Sequence, residues 1–260
     1  MMGGLVPFEW AAKKVLGPTL DEVGEDFRRL YITGREKLIR IAQRKIPDIE
    51  DGNVANLRVA ADVLANGAMA ADNEVCAEYF GGLLAASRTK DGKDDSLTPL
   101  VDVVKSLSSE QLRIHYWAYH TLNKALLALR PRPKVAEAPR RIFFQYLGPP
   151  DSASGHLGDL SVLRQRGLIE SARTGLPVIR SKSDGREWAV PYVEVEATSF
   201  GMMLYAAAFN NLMWWQAIGT IRTEHHEDFP GIPLPKGYGF DLPSLLESVH
   251  EDGPFDLIRH

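Results

Sequence analysis

The sequence has little of several features that would point to a particular class of protein. It contains one cysteine, Cys76, so no disulfide can form within the chain, and this fits a reducing, cytoplasmic compartment. Its net charge of −4 and pI near 6.0 exclude a globally basic protein that coats nucleic acid. The first ten residues lack the basic stretch and sustained apolar run of a secretory signal, so no signal is expected.

One uncharged stretch, residues 197–221, is long enough to cross a bilayer. Asn210, Asn211 and Gln216 interrupt it, and polar side chains are costly at membrane depth unless they are satisfied. We therefore interpret the stretch as a buried helix and do not expect contact with a membrane.

The sequence shows no motif that places catalytic side chains at a working spacing. His115 and His120 lie too far apart around a helix to share a metal ion, and adjacent side chains in residues 224–228 point apart. Cys76 lies on an apolar helical face and is predicted to be a buried structural thiol. We therefore expect no catalytic residue, no cofactor and no metal site, and the sequence does not indicate an enzyme.

Helical patterns dominate the first half of the chain, whose 45% hydrophobic residues can build a substantial core. From Thr19 onward apolar residues recur at helical spacing, and this long helix is predicted to end before Pro47. Its arginines alternate with acids, which is typical of a solvated face. The predicted apolar stripe consists of Leu20, Val23, Phe27, Leu30, Tyr31, Leu38 and Ile41.

Residues 55–90 predict two helices that join at Asp72-Asn73, with Asp72 as the N-cap of the second helix. Gly81 and Gly82 lie in the middle of that helix, where each is less favourable than alanine by about 1 kcal/mol. This pair indicates that another helix approaches the backbone closely. The predicted core faces are Leu57, Ala60, Ala61, Leu64 and Ala68 in the first helix, and Val75, Cys76, Tyr79, Phe80, Leu83 and Leu84 in the second.

Two further helix starts complete a predicted helical bundle domain over residues 1–130. Pro99 follows Thr98 at a position where its missing N–H is harmless, and Ser108 has capping-box spacing to Gln111. Residues 131–141 are then predicted to be a proline-rich, basic linker between domains. The segment fits a solvated connector or a contact with nucleic acid or an acidic partner. Its basic residues are Arg130, Arg132, Lys134, Arg140 and Arg141.

Residues 142–222 predict a winged-helix-like module with one β-hairpin. A short helix ends at Gly167, two strand-like runs at residues 170–180 and 187–197 flank the turn at residues 182–186, and Thr198-Ser199 caps a further helix. Residues 223–260 form an acidic segment rich in proline and glycine. The predicted fold class is therefore mainly α, a helical bundle followed by a winged-helix-like α+β module.

The module carries the basic side chains that best fit nucleic acid. Phosphate contacts by such side chains supply most non-specific affinity. Asp159, Asp184 and Glu187 dilute the charge, and winged helices also dock proteins. The candidates are Arg164 and Arg166 on the recognition helix, with Arg173, Arg180, Lys182 and Arg186 on or near the wing.

Four segments of the chain resemble the Abi-alpha family of bacterial abortive-infection proteins, a domain of unknown function. Residues 17–24 resemble its Pro…Glu-Leu-Gly motif, and residues 71–85 its acidic turn and following helix, which ends near Trp-Ala-Asn-Leu-Leu-Ala. Residues 98–110 resemble its His-Pro-x-Phe…Leu-Ser-x-x-Glu segment. Residues 160–169 and 198–201 resemble its Leu-Gly-Leu-Ile…Leu-Thr-x-Phe-Gly pattern.

The resemblance implies a role in antiphage defence by binding. The family's tryptophan, alanine, asparagine and histidine are replaced here by Phe80, Gly81, Gly82 and Thr98, so chemistry that those residues supplied elsewhere is absent. The binding target could be DNA or RNA, or a phage or host protein. One alternative is a helical module that oligomerises or docks a phage component through apolar faces, with Trp214, Trp215 and the glycine pair as candidates. Another alternative is a winged-helix transcriptional regulator.

Overall fold

The computed structural model describes residues 20–128, 141–145, 150–175, 178–189, 192–212, 229–230, 232 and 255–258. The described chain is mainly helical, as predicted. Its helices are α1 (Leu20–Lys45), α2 (Leu57–Ala70), α3 (Glu74–Ala86), α4 (Thr98–Lys105), α5 (Ser109–Ala128), α6 (Pro150–Gln165) and α7 (Ser199–Ala208). Its strands are β1 (Val54–Ala55), β2 (Arg88–Thr89), β3 (Arg141–Gln145), β4 (Ile169–Gly175), β5 (Val178–Ser181), β6 (Glu187–Ala189), β7 (Tyr192–Ala197) and β8 (Phe255–Ile258).

The strands form small antiparallel sheets. β1 pairs with β2 beside the helical body, while β3, β7 and β4 form a three-stranded sheet in that order. β5 lies between β6 and β8 in a separate three-stranded sheet. The run predicted as one strand over residues 170–180 is therefore two strands, β4 and β5, which belong to different sheets.

Helix α3 is the centre of the core. Every residue from Val75 to Ala85 is buried, and α3 contacts α1, α2, α4, α5 and α7. A helix that is apolar nearly all round is expected to be enclosed by other elements. This explains why residues 75–85 contain just one charged residue, Glu78.

The glycine pair lies where other helices approach α3. A Cβ on Gly82 would overlap the backbone carbonyl of Ala208 in α7, and a Cβ on Gly81 would overlap Ile41 in α1. The predicted close approach is confirmed at both positions. Because both glycines are buried, their use as an exposed docking surface is wrong.

The structure corrects two local predictions in α2 and α3, although Ala68 is buried as predicted and Ala60 and Leu64 pack against the core. Asn73, not Asp72, is the N-cap of α3, since the side-chain oxygen of Asn73 accepts from the backbone of Val75 and Cys76. In α2, Leu57 is 82% exposed. The buried face of α2 is Val59, Val63, Gly67 and Ala68.

Other sequence signals are confirmed. Ser108 and Gln111 form a reciprocal capping box, with the Ser108 N–H donating to Gln111 Oε1 at 3.0 Å and the Gln111 N–H donating to Ser108 Oγ at 3.2 Å. Helix α1 ends at Lys45, two residues before Pro47. In the first stripe Leu38 and Ile41 are buried, but Leu30 is 59% exposed and does not belong to the core.

Within the uncharged stretch of residues 197–221, the structure describes residues 197–212, which include α7. Thr198 is the N-cap of α7 and Phe209 is its C-cap, after which Asn210 adopts a φ of 56°. The helix is buried along most of its length against α3 and α5. None of the described helices combines the length and apolar character that a bilayer crossing requires.

The buried core includes residues from both sides of the predicted linker. Leu160, Leu168, Val195 and Leu204 belong to the same cluster as Leu83. Residues 129–140 lie outside the described residues, so the predicted domain boundary stays a prediction.

Candidate nucleic-acid interface

Helix α6 ends in a Schellman motif that holds two arginines at the surface. The Leu168 N–H donates to Leu163 O and the Gly167 N–H donates to Arg164 O, each at 2.9 Å. Gly167 adopts a φ of 70°, which suits glycine at this position. Leu163 and Leu168 are fully buried, whereas Arg164 and Arg166 are exposed. The predicted helix end is confirmed, and both arginines face solvent.

Buried hydrogen bonds fix this end of α6 to the helical core. Tyr119 Oη in α5 donates to Leu168 O at 2.5 Å and accepts from the Thr198 N–H at 3.0 Å. Burial raises the pKa of Tyr119 to about 12, so its hydroxyl keeps its proton. Thr198 Oγ1 in turn donates to Gly167 O at 2.6 Å and accepts from the Gly201 N–H at 3.0 Å. The end of α6 that carries the exposed arginines is therefore held by hydrogen bonds to Tyr119 of α5 and to Thr198, the N-cap of α7.

The sheet next to α6 has a defined strand order. The first strand in sequence, β3, pairs with β7, and β7 pairs with β4, so the last strand lies in the middle. Helix α6 directly precedes β4, and the β5–β6 hairpin is inserted between β4 and β7. The order along the chain is therefore α6, β4, the β5–β6 hairpin, β7 and α7.

Nearby acids partly neutralise the basic residues of the hairpin. Arg180 Nε donates to Glu187 Oε1 at 2.9 Å, across the β5–β6 pair. Arg186 Nε lies 3.5 Å from Asp184 Oδ2. Lys182 is exposed in the same turn. The dilution of charge expected from Asp184 and Glu187 is therefore realised as ion pairs.

Arg164 and Arg166 differ from the hairpin arginines. Among the described residues, neither forms an ion pair. Each of these two exposed arginines can contact a phosphate without first breaking a salt bridge. Arg164 and Arg166 thus lie two residues apart at the end of α6, and Arg180 and Arg186 lie on the hairpin.

The remaining predicted basic residues cannot be placed at side-chain level. Arg173 lies on β4 opposite Glu194, and Arg141 begins β3 opposite Glu196. Their side chains, and the whole of Arg130, Arg132, Lys134 and Arg140, lie outside the described residues. The same holds for Trp214, Trp215 and residues 224–228.

The two core histidines serve the packing of α5, as predicted. His115 Nε2 lies 3.2 Å from Gly201 O, which can only accept, so Nε2 carries the proton and Nδ1 accepts from Tyr79 Oη at 2.5 Å. Burial lowers the pKa of His115 to about 3, which keeps the ring neutral. His120 Nδ1 contacts Tyr205 Oη at 2.9 Å.

A buried ion pair beneath α7 was missed by sequence reasoning. Lys45 Nζ lies 2.7 Å from Glu78 Oε2 and donates to the carbonyls of Glu78 and Ala208, and Arg44 also pairs with Glu78. Burial lowers the pKa of Lys45 to about 8, although Glu78 opposes this change. The available signal was the single acid inside the otherwise apolar run of residues 75–85.

These buried groups connect helices of the core. Within the described ranges, no three histidine, cysteine, aspartate or glutamate side chains lie close enough to hold an ion. Cys76 is buried, and burial raises the pKa of its thiol to about 11, which keeps it protonated and unreactive.

Comparison with known proteins adds no assignment. No protein-family model matches the chain, and no curated protein or solved structure is significantly similar to it.

Proposed function

We propose that the chain is a cytoplasmic binding protein of bacterial antiphage defence that contacts nucleic acid through the end of α6 and the β5–β6 hairpin. In this proposal residues 141–208 form a winged-helix-like module and α6 is its recognition helix. Arg164 and Arg166 contact phosphates, and the hairpin is the wing.

The strand order β3–β7–β4 supports the winged-helix interpretation. A winged helix places its recognition helix immediately before a hairpin, whose two strands join an earlier strand in one small antiparallel sheet. Here α6 is that helix, β4 and β7 are those strands and β3 is the earlier one. The inserted β5–β6 pair lies where the wing is expected.

The defence role rests on the Abi-alpha-like motifs. Residues 71–85 include the N-cap and body of α3, and residues 98–110 span α4 and the start of α5. Residues 160–169 and 198–201 build the Schellman end of α6 and the cap of α7. The motifs therefore fall on positions that a shared fold would require, and they are consistent with membership of that family.

The exposure of Arg164 and Arg166 on a rigid helix end carries the proposal. A filter-binding titration of a DNA duplex and an RNA duplex over a range of salt tests it. We expect binding at low salt, and we expect Arg164→Ala with Arg166→Ala to reduce the slope of log K against log salt by about 2, because each phosphate contact contributes about 0.9.

The matched control is Arg40→Ala with Arg58→Ala, which removes two exposed arginines of the helical body that pair with acids and lie outside the proposed interface. It should change the slope less than the α6 pair does. Absence of binding at low salt, or equal effects of the two double variants, would reject α6 as the interface. A plaque assay with the same variants then tests the defence role separately.

Docking of a partner protein is the second candidate function. The exposed large hydrophobic side chains of the described chain all lie between residues 30 and 69. They lie on α1, on α2 and on the segment that connects these two helices, which pack against each other. The exposed residues are Leu30, Ile32, Ile39, Ile49, Val54, Leu57 and Met69.

A further inference from the structure

Helix α1 carries cations on two sides, and those on the inward side pair with acids of α3. Lys37 Nζ lies 2.6 Å from Glu74 Oε1, and Lys45 and Arg44 pair with Glu78. These contacts join α1 to α3. Glu74 and Glu78 of α3 are thus already paired with cations on the inward side of α1.

The outward side presents alternating arginine and isoleucine. Arg28, Ile32, Arg35 and Ile39 follow one another at steps of four, three and four residues, the spacing of a coiled-coil seam. Ile32 is 46% exposed and Ile39 is 39% exposed, and both arginines are exposed. We call these four residues the α1 seam, and it runs for about 17 Å along the helix.

Charge on the α1 seam is not balanced within the described residues. Glu36 is the one acid between Arg28 and Lys45, and it lies 3.8 Å from Arg40, off the seam. Arg28 and Arg35 form no ion pair with any described residue. The Arg35 guanidinium lies 5.7 Å from the Tyr31 ring centroid, a contact that orients it without neutralising it.

We propose that the α1 seam docks an acidic amphipathic helix of a partner protein. Apolar residues of that helix would pack on Ile32 and Ile39, and its carboxylates would pair with Arg28 and Arg35. The inference is independent of the nucleic-acid interface on α6, because it rests on a different helix and on different side chains.

A second copy of the chain does not fit the α1 seam. Parallel pairing sets Arg28 against Arg28 and Arg35 against Arg35 of the other copy, so like charges meet. Antiparallel pairing sets Arg28 against Ile39 and Arg35 against Ile32, which buries each cation without a partner. Both arrangements are unfavourable, so the α1 seam does not pair with the same seam of a second copy.

The test uses a fluorescent synthetic helix with leucine and glutamate along its own seam, titrated with the full chain by anisotropy. We expect saturable binding. Arg28→Glu with Arg35→Glu should weaken it by about tenfold or more, since each 1.4 kcal/mol is a factor of ten. The same peptide with lysine in place of glutamate should bind this double variant in preference to the wild type.

Two control variants separate a seam from a diffuse charge effect. Arg40→Glu changes the net charge by as much as Arg35→Glu alone does, at an exposed position off the seam, and should alter affinity by less than about threefold. Ile39→Ser should weaken binding while the variant still unfolds cooperatively on heating, since Ile39 is 39% exposed and does not belong to the buried core. No binding by the wild type, or equal losses from Arg40→Glu and the seam substitutions, would overturn the proposal.

Two further arms decide between ligand classes. The wild type and the Arg28→Glu, Arg35→Glu variant are titrated with anionic phosphatidylserine vesicles and with a DNA duplex. The proposal expects the two proteins to behave alike in both titrations. If the double variant loses vesicle or DNA binding while peptide binding is unchanged, the seam recognises phosphate groups and the proposal is wrong.

Discussion

The helical core and the end of α6 use titratable side chains in opposite ways. In the core, Lys45, Glu78 and His115 are buried and meet defined partners across α1, α3, α5 and α7. At the end of α6, Arg164 and Arg166 are exposed and meet no described acid. The first arrangement stabilises the fold, and the second leaves charge available for a ligand. Substitutions in the core should therefore affect unfolding, and substitutions at α6 should affect binding.

The largest expected effect is at the buried ion pair. Glu78→Ala leaves Lys45 buried without its acid and should lower the free energy of unfolding by about 3–5 kcal/mol. The control is Asp62→Ala, which removes an exposed pair with Lys105 and should cost about 1 kcal/mol or less. Urea unfolding followed by circular dichroism measures both. Equal losses would mean that burial does not distinguish the two pairs.

The next effect tests the contact between α3 and α7. Gly82→Ala places a methyl group against the carbonyl of Ala208 and should destabilise the protein by about 1–3 kcal/mol or more. Gly158→Ala in α6 is the matched control, because nothing lies within 4 Å of its added Cβ. That change should be neutral or should stabilise by up to about 1 kcal/mol. A neutral Gly82→Ala in the same urea assay would contradict the close packing.

These contacts also show what the sequence could and could not predict. The apolar run of α3, the capping box at Ser108 and the glycine at the end of α6 are local signals, and the structure confirms them. The glycine pair correctly indicated a close helix, but the sequence could not identify that helix as α7. Partners more than 100 residues apart leave no local trace.

The errors share a physical cause. Asp72 and Asn73 are both good N-caps, and the backbone geometry that selects Asn73 depends on how α2 meets α3. In α2 the many alanines fit more than one buried face, so the sequence does not decide which face meets the core. In the structure α2 packs against α1, and Val59 and Val63 are buried. At the candidate site, the basic residues were visible in the sequence, but their pairing with acids across the hairpin was not.

A pH dependence comes from His115, whose pKa burial lowers from 6.5 to about 3. As pH falls below 6.5, the unfolded chain binds a proton at His115 that the folded protein does not bind. The free energy of unfolding of the wild type therefore falls by up to about 1.4 kcal/mol per pH unit, down to pH 3. His115→Gln cannot lose stability in this way. The difference in free energy of unfolding between the wild type and this variant, measured in urea, should therefore shrink as the pH is lowered from 7 to 5. A constant difference would contradict a neutral, buried His115.

The smallest effect on stability is expected at α6. Arg164→Ala with Arg166→Ala should change the free energy of unfolding by less than about 0.5 kcal/mol, since both side chains are exposed. Thermal unfolding of this variant beside the wild type checks it. A larger loss would show that the arginines support the fold, and reduced nucleic-acid binding could then not be assigned to direct contact.

Amide chemical-shift mapping during titration with a short DNA duplex tests the central claim most directly, because it locates the contact without any substitution. The account predicts changes at residues 161–168 and 182–186, with residues 75–85 of α3 unaffected. No changes at saturating DNA, or changes confined to residues 28–40 of α1, would contradict it.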